Sequence, residues 1–187
     1  MRFIIIVGVL DPLDSASRAA DWPAGWGREL EAAFPECEIV LLRDRYLWWQ
    51  HEKILRLRNR CIELLSDGRP SVIIGYSFGG CITLAAAAHA SRANIKLIVT
   101  LSSPHSFDAF GVGHAKRVIG VPANGLRLPI MTYGALIDPF IFPPFTALSG
   151  SVHKNIRTGH WGFIFNPSVR NAVIADMKYR LHREGEG

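Results

Sequence analysis

The chain has 187 residues, of which 49% are hydrophobic and 20% are charged, and this balance excludes a disordered protein. The formal net charge is +5, but the basic residues at 51–60 and 177–184 alternate with apolar ones at helical spacing. That pattern favours two solvated helix faces over a nucleic-acid-binding patch.

No apolar run is long enough to cross a membrane, and the three cysteines have neither metal-binding nor disulfide spacing. We therefore expect reduced thiols in a cytoplasmic protein that is not an integral membrane protein. The length suits a single domain over residues 1–187. The oligomeric state stays open.

From the N-terminus, the apolar pattern predicts a strand at 2–7, a helix at 22–34, a strand at 38–42, a helix at 49–66, a strand at 71–75, a helix at 78–90 and a strand at 95–101. It then predicts an irregular segment at 102–127 with one short helix near Ala115, a strand at 128–135, a loop at 137–149, a strand at 151–156 and a closing helix at 167–183. This alternation predicts a three-layer α/β/α sandwich around a mostly parallel sheet of about six strands. In such sheets, ligands bind beyond the carboxyl ends of the strands.

A serine lies between two glycines where the third strand becomes a helix, in the sequence Gly75-Tyr76-Ser77-Phe78-Gly79. Such a turn holds its serine in a strained backbone conformation, which requires small neighbours. It raises the hydroxyl above the sheet, where the N–H groups at the helix start face developing negative charge. The alternative is a tight turn with an incidental serine, but the order of strand, turn and helix favours a nucleophile.

A serine hydroxyl is a poor nucleophile and needs a base that a third group orients. On this architecture the acid and then the histidine follow later strands. Asp138 follows the fifth strand and is the expected acid, although an Asp-Pro turn is the alternative reading, and Asp108 is the second candidate. His160 precedes the closing helix between Gly159 and Gly162 and is the expected base rather than a structural loop histidine.

In this order, the residues Gly75 to Gly79, Asp138 and Gly159-His160 make the chain resemble the α/β-hydrolase superfamily along essentially its whole length. The usual fold of that superfamily has eight strands, and this chain is similar to the minimal version of small bacterial lipases and esterases. The resemblance implies an oxyanion hole built from the N–H of Phe78 and a second N–H from Val9 or, alternatively, Leu10. It implies no cofactor and no metal, because the triad needs neither.

The resemblance implies a serine hydrolase of the carboxylesterase or lipase-like type, with a small-molecule acyl ester as its partner. The expected substrates have small to medium acyl chains, because the segment at 102–127 is short for a large lid. A thioesterase, an amide hydrolase and a non-catalytic ligand-binding protein remain alternatives, and the natural substrate and pathway stay open. Two aromatic clusters follow the acid and the base and either line an acyl pocket or belong to the core: Phe140, Phe142, Phe145, Trp161, Phe163 and Phe165.

Overall fold

The computed structural model describes residues 1–8, 22–44, 46–90, 93–122 and 126–185 of the chain. The strands are β1 (Arg2–Ile6), β2 (Glu38–Leu42), β3 (Ser71–Tyr76), β4 (Ile95–Leu101), β5 (Ile130–Ile137) and β6 (Val152–Gly159). The helices are α1 (Trp22–Ala33), α2 (His51–Leu65), α3 (Phe78–His89), α4 (Val112–Ile119), α5 (Gly162–Phe165) and α6 (Pro167–Gly185). Short 3₁₀ turns lie at Ala109–Gly111 and Pro143–Phe145.

The six strands form one sheet in the order β2-β1-β3-β4-β5-β6, and every neighbouring pair is parallel. This confirms the predicted three-layer architecture. Because the strands all run in one direction, their carboxyl ends lie along a single edge of the sheet, which we call the carboxyl edge. The loops that follow the strands, and the first turns of the helices after them, are therefore brought together at this edge.

Helices cover both faces of the sheet, so the central strands are buried on both sides. Along β1, Phe3 and Ile5 pack with α1 and α6, whereas Ile4 and Ile6 pack with α2, α3 and α4. Successive side chains of a strand point to opposite faces, and both faces here are apolar. This double burial explains why β1, β3 and β4 appear in the sequence as continuous apolar runs.

Helix α1 holds the C-terminal helices in place beside the sheet. The buried Trp26 donates a hydrogen bond from Nε1 to the carbonyl oxygen of Phe163, at 3.0 Å. The Arg170 guanidinium, at the start of α6, pairs with Glu29 of α1 at 2.6 Å. Phe163 belongs to α5, which begins two residues after His160, so these contacts anchor the chain just beyond the predicted base.

β1 and β3 each differ from their predicted bounds by one residue, β5 and β6 differ by more, and α5 was not predicted. β5 runs from Ile130 to Ile137 rather than from 128 to 135. β6 extends to Gly159 rather than ending at 156, because its pairing with β5 continues to Ile137. As an edge strand with mostly polar, exposed residues, β6 lacks the continuous apolar run of a central strand. Helix α5 has only four residues, too few to show a helical period.

Helix α3 lies close against the sheet, and glycine makes that approach possible. A Cβ atom on Gly79 would overlap the carbonyl group of Ile6 in β1. The ten buried residues of α3 run without a break from Phe78 to Ala87, so this helix is covered on all sides. Among the described residues, no helix has both the length and the apolar character needed to span a membrane.

Replacing Gly79 by Ala should lower the free energy of unfolding by about 1–3 kcal/mol, because backbone atoms must move to admit the new methyl group. Gly27→Ala in α1 is the matched control, since the nearest atom to its Cβ would be Cδ1 of Ile39 at 4.0 Å. The control should be neutral or stabilising by up to about 1 kcal/mol. Urea denaturation of both variants measures the difference, and equal midpoints would contradict the close packing of α3 on β1.

Candidate active site

Ser77 occupies the turn between β3 and α3 in a strained backbone conformation. Its φ is 53° and its ψ is −130°, outside the regions that residues other than glycine normally adopt. The N–H of Ser77 donates to the carbonyl of Leu101 at 2.8 Å, and its own carbonyl accepts from the N–H of Gly80 at 3.0 Å. The predicted strand–turn–helix geometry is present, and neighbouring backbone holds the strain in place.

The surrounding glycines leave space that the turn requires. A Cβ atom on Gly8 would lie 2.6 Å from Cβ of Ser77 and 2.9 Å from the backbone nitrogen of Phe78. A Cβ atom on Gly75 would lie 2.5 Å from Cα of Gly80. The turn is therefore packed between the end of β1 and the start of α3, which limits its freedom to relax.

Asp138 and His160, which follow β5 and β6, form a buried hydrogen-bonded pair. Nδ1 of His160 lies 2.6 Å from Oδ2 of Asp138, and both residues are at most 5% exposed. The other carboxylate oxygen, Oδ1, accepts from the N–H groups of Phe140 and Ile141, each at 2.9 Å. The structure thus brings together the acid and the base that the sequence predicted.

The environment of Asp138 keeps its carboxyl group ionised. Burial acts to raise the pKa of Asp138, but the hydrogen bond and charge of His160 and the two N–H donors outweigh it, so the pKa lies below its ordinary value. An ionised carboxylate only accepts hydrogen bonds, so Nδ1 of His160 carries the proton. In the neutral ring, Nε2 is then the basic nitrogen.

Asp108, the second candidate for the acid, lies in a different interaction. Its Oδ1 is 2.5 Å from Nζ of Lys116, and its side chain is 66% exposed. The structure places Asp138, and not Asp108, on the imidazole of His160. The register of the sheet explains this, because Gly159 pairs with Ile137 and brings the next residue of each strand side by side.

Three aromatic rings surround the imidazole of His160. The ring centroids of Tyr76, Trp161 and Phe140 lie 5.1, 5.3 and 5.4 Å from that of the imidazole. The hydroxyl of Tyr76 also donates to the carbonyl of His160 at 3.2 Å. Tyr76, the last residue of β3, therefore holds His160 in position, a contact that no sequence pattern indicated.

Of the three candidate oxyanion donors, Phe78 lies among the described residues. Phe78 is the first residue of α3, so its N–H has no acceptor within the helix. Val9 and Leu10, the alternatives for the second donor, lie outside the described residues. Gly8, directly before them, is packed against the turn of Ser77.

A cavity of about 460 Å³ opens beside Ser77 and His160 at the carboxyl edge. Apart from these two residues, its lining is apolar or aromatic and consists of Trp48, Phe78, Pro104, Phe107, Phe110, Val112, Pro139, Phe140, Ile141 and Trp161. Of the six aromatic residues singled out in the sequence, Phe140 and Trp161 line the cavity. Phe163 is core, Phe142 and Phe165 are exposed, and Phe145 packs against Phe107.

One wall of the cavity is a loop that buried polar groups hold against the sheet. Nζ of Lys116 donates to the carbonyl of His105 at 2.8 Å, and Nε2 of His105 lies 2.8 Å from Oγ1 of Thr100 in β4. This loop carries Pro104 and Phe107 into the cavity. Burial, together with the charges of Lys116 and His153, lowers the pKa of His105 to about 3.

The described residues contain no group of three or more His, Cys, Asp or Glu side chains placed to hold a metal ion. Cys61 and Cys81 are buried, and burial raises the pKa of each thiol to about 12. Thiols with such pKa values are protonated at neutral pH and are poor nucleophiles. Among the described residues that line the cavity, Ser77 and His160 therefore carry the groups that can attack a substrate or transfer a proton.

Neither a protein-family model nor a curated protein sequence matches this chain, whereas solved structures match it over nearly its whole length. A candidate hydrolase of the α/β superfamily from Xanthomonas campestris is 12% identical, with a TM-score of 0.66 over 95% of this chain and 96% of that one. A pyrethroid hydrolase from Sphingobium faniae is 14% identical, with a TM-score of 0.64 over 95% of this chain and 97% of that one. A bromoperoxidase from Bacillus anthracis is 10% identical, with a TM-score of 0.64 over 93% of this chain and 90% of that one.

These similarities show that the chain has the α/β-hydrolase fold, as the Gly75-to-Gly79 motif and the order of Ser77, Asp138 and His160 predicted. Its six described strands form a small version of that fold. The three proteins differ in the chemistry that their names give, and one fold supports many activities. The substrate must therefore be argued from the cavity and the side chains that face it.

The wild-type protein should lose stability as the pH falls from about 6.5 towards 3, because the unfolded chain then binds a proton at residue 105 that the folded protein does not. His105→Gln removes this contribution. The difference in the free energy of unfolding between wild type and variant should shift by up to about 1.4 kcal/mol per pH unit in that window. Urea titrations at pH 7, 6, 5 and 4 measure it. Parallel pH profiles would contradict a neutral, half-buried His105.

Proposed function

We propose that this protein is a serine hydrolase that cleaves carboxylic esters of small to medium acyl chains. The observation that carries the proposal is the buried 2.6 Å pair of Asp138 and His160, together with the cavity that His160 and the strained Ser77 both line. In this proposal Asp138 orients His160, His160 is the base, and Ser77 supplies the hydroxyl at the carboxyl edge. This is the arrangement that activates a serine.

In the first half of the proposed reaction, Oγ of Ser77 attacks the ester carbonyl while Nε2 of His160 takes the hydroxyl proton. The carboxylate of Asp138 stabilises the imidazolium that forms, without taking its proton. His160 then gives the proton to the leaving alcohol as the carbon–oxygen bond of the ester breaks. An acyl group remains on Ser77, and the alcohol departs.

In the second half, water attacks the acyl carbon while His160 takes a proton from the water. The bond between the acyl carbon and Oγ of Ser77 then breaks, His160 returns the proton to Oγ, and the carboxylic acid leaves. Both tetrahedral intermediates carry an oxyanion that the N–H of Phe78 and one further N–H, from Val9 or Leu10, would stabilise. Loss of one such donor typically costs about 3–4 kcal/mol of transition-state stabilisation. The proposed reaction needs no metal or cofactor, because Ser77 and water are the nucleophiles and His160 transfers each proton.

The cavity supports a neutral, apolar acyl group as the part of the substrate that binds beside Ser77. The lining residues that the structure describes include no permanently charged side chain, so among them a charged acyl group would lose its hydration without a partner. A volume of about 460 Å³ is at the small end of the range for ligand pockets. Both properties favour small to medium acyl chains.

Ser77→Ala should abolish hydrolysis of p-nitrophenyl acetate, butyrate and octanoate, since the nucleophile is lost while the methyl group fits the turn. Ser106→Ala is the matched control, because it removes an exposed serine hydroxyl from the loop after β4. Initial rates of wild type and both variants, with circular dichroism to confirm folding, make the test. Full activity of Ser77→Ala would exclude the mechanism, and turnover of a matched thioester series alone would favour a thioesterase.

Asp138→Asn should lower turnover of the same esters by about 10³–10⁴-fold, because an amide does not hold Nδ1–H of His160 as a carboxylate does. Asp108→Asn is the control, since the exposed carboxylate of Asp108 pairs with Lys116 and not with His160. Its turnover should fall by less than tenfold. The opposite ranking of the two variants would assign the acid role to Asp108.

A further inference from the structure

The exposed large hydrophobic side chains of the described residues are concentrated at the carboxyl edge. Ten such side chains are exposed, and three of them, Met1, Val152 and Tyr179, lie away from this edge. The other seven form what we call the apolar rim: Trp49, Phe110, Leu136, Ile137, Phe140, Phe142 and Phe165. Scattered exposed apolar residues are normal in proteins, but a concentration of this kind marks a binding surface.

The apolar rim is continuous with the mouth of the cavity. Phe110 and Phe140 belong to both, and Phe107 inside the cavity contacts Phe110 and Phe145, at 6.3 and 5.4 Å between ring centroids. Phe145 in turn contacts Phe142 of the rim, at 6.4 Å. A molecule that enters the cavity therefore crosses this aromatic surface.

Phe110 is presented to solvent by a strained backbone. Its φ is 52°, in the left-handed region that aromatic residues rarely adopt, and its side chain is 82% exposed. Exposing a large apolar side chain to water in a strained backbone conformation does not stabilise the folded chain by itself. The exposure becomes favourable when the ring enters an apolar phase.

The charged side chains that the structure describes beside Trp49 of the rim favour an anionic partner. The carboxylate of Asp108 is paired with Lys116, and that of Asp138 is buried against His160 and the N–H groups of Phe140 and Ile141. Beside Trp49 of the rim, a groove of about 410 Å³ is lined by Trp49, Gln50, His51, Glu52, Lys53 and Arg56, so that cationic side chains outnumber the single carboxylate. The chain as a whole carries a formal charge of +5. A second copy docked face to face would meet like charges, whereas an anionic surface would be attracted.

We propose that the apolar rim docks the carboxyl edge on the surface of an anionic lipid bilayer. The aromatic side chains would enter the boundary between headgroups and acyl chains, and the basic groove would face the anionic headgroups. The cavity mouth would then open towards the phase in which apolar esters concentrate. Docking does not depend on the chemistry at Ser77, so it extends the proposed function and is tested separately from it.

The test is co-sedimentation of the Ser77→Ala protein, which cannot turn over substrate, with vesicles of phosphatidylcholine that contain 30% phosphatidylglycerol. The protein should bind these vesicles more tightly than vesicles of phosphatidylcholine alone, and added salt should weaken the binding. Removing two inserting rings with Phe110→Ser and Phe142→Ser should weaken it at least tenfold. Tyr179→Ser, which removes a 66% exposed ring from α6, is the matched control and should change it less than twofold.

Each other outcome overturns the proposal. Absence of vesicle binding would exclude a bilayer as the partner, and equal binding by the double variant and the Tyr179→Ser control would exclude the rim as the docking surface. Concentration-dependent self-association without vesicles, lost in the double variant, would assign the rim to a second copy of the chain. If the double variant does not fold, Phe142→Asp serves instead, since this exposed side chain lies outside the cavity lining and a carboxylate there opposes insertion.

Discussion

The turn at Ser77 imposes the constraint on which the rest of the site depends. Its backbone is held at a positive φ by hydrogen bonds to Leu101 and Gly80, while β1 and α3 pack too closely around it for a side chain on Gly8 or Gly79. The turn therefore cannot relax without opening the contact between the central strand β1 and the buried helix α3. Folding of the core supplies the free energy that keeps Ser77 at the carboxyl edge in this conformation.

The parallel sheet brings the other groups to the same place. Asp138 and His160 are 22 residues apart in the chain, yet they meet because β5 and β6 pair to their carboxyl ends. The aromatic rings around His160 pack against the imidazole, and the anchored loop of His105 closes one wall of the cavity. The result is a small apolar site with one oriented base and one strained hydroxyl, which is what the proposed ester hydrolysis requires.

Much of this architecture could be predicted from the sequence because its signals are local. Central strands buried on both faces are continuous apolar runs, and the observed bounds of the central strand β4 equal the predicted ones. The turn of Ser77 and the order of the acid and the base follow from short motifs. By contrast, the extension of β6 was missed because an edge strand is polar, and Trp48, Phe107 and Phe110 were missed because they lie in loops without periodicity. Their place in the cavity depends on tertiary packing, which is also why Phe163 belongs to the core.

The most direct test of the account is the reaction of the folded protein with a fluorophosphonate, followed by peptide mass spectrometry. Such a reagent modifies a serine that a neighbouring base activates, whatever the natural substrate. The account predicts one adduct per chain, on Ser77, and a rate of labelling that falls by at least a hundredfold in His160→Ala. A folded wild-type protein that forms no adduct, or one that His160→Ala labels equally fast, would contradict the claim that Ser77 is an activated nucleophile.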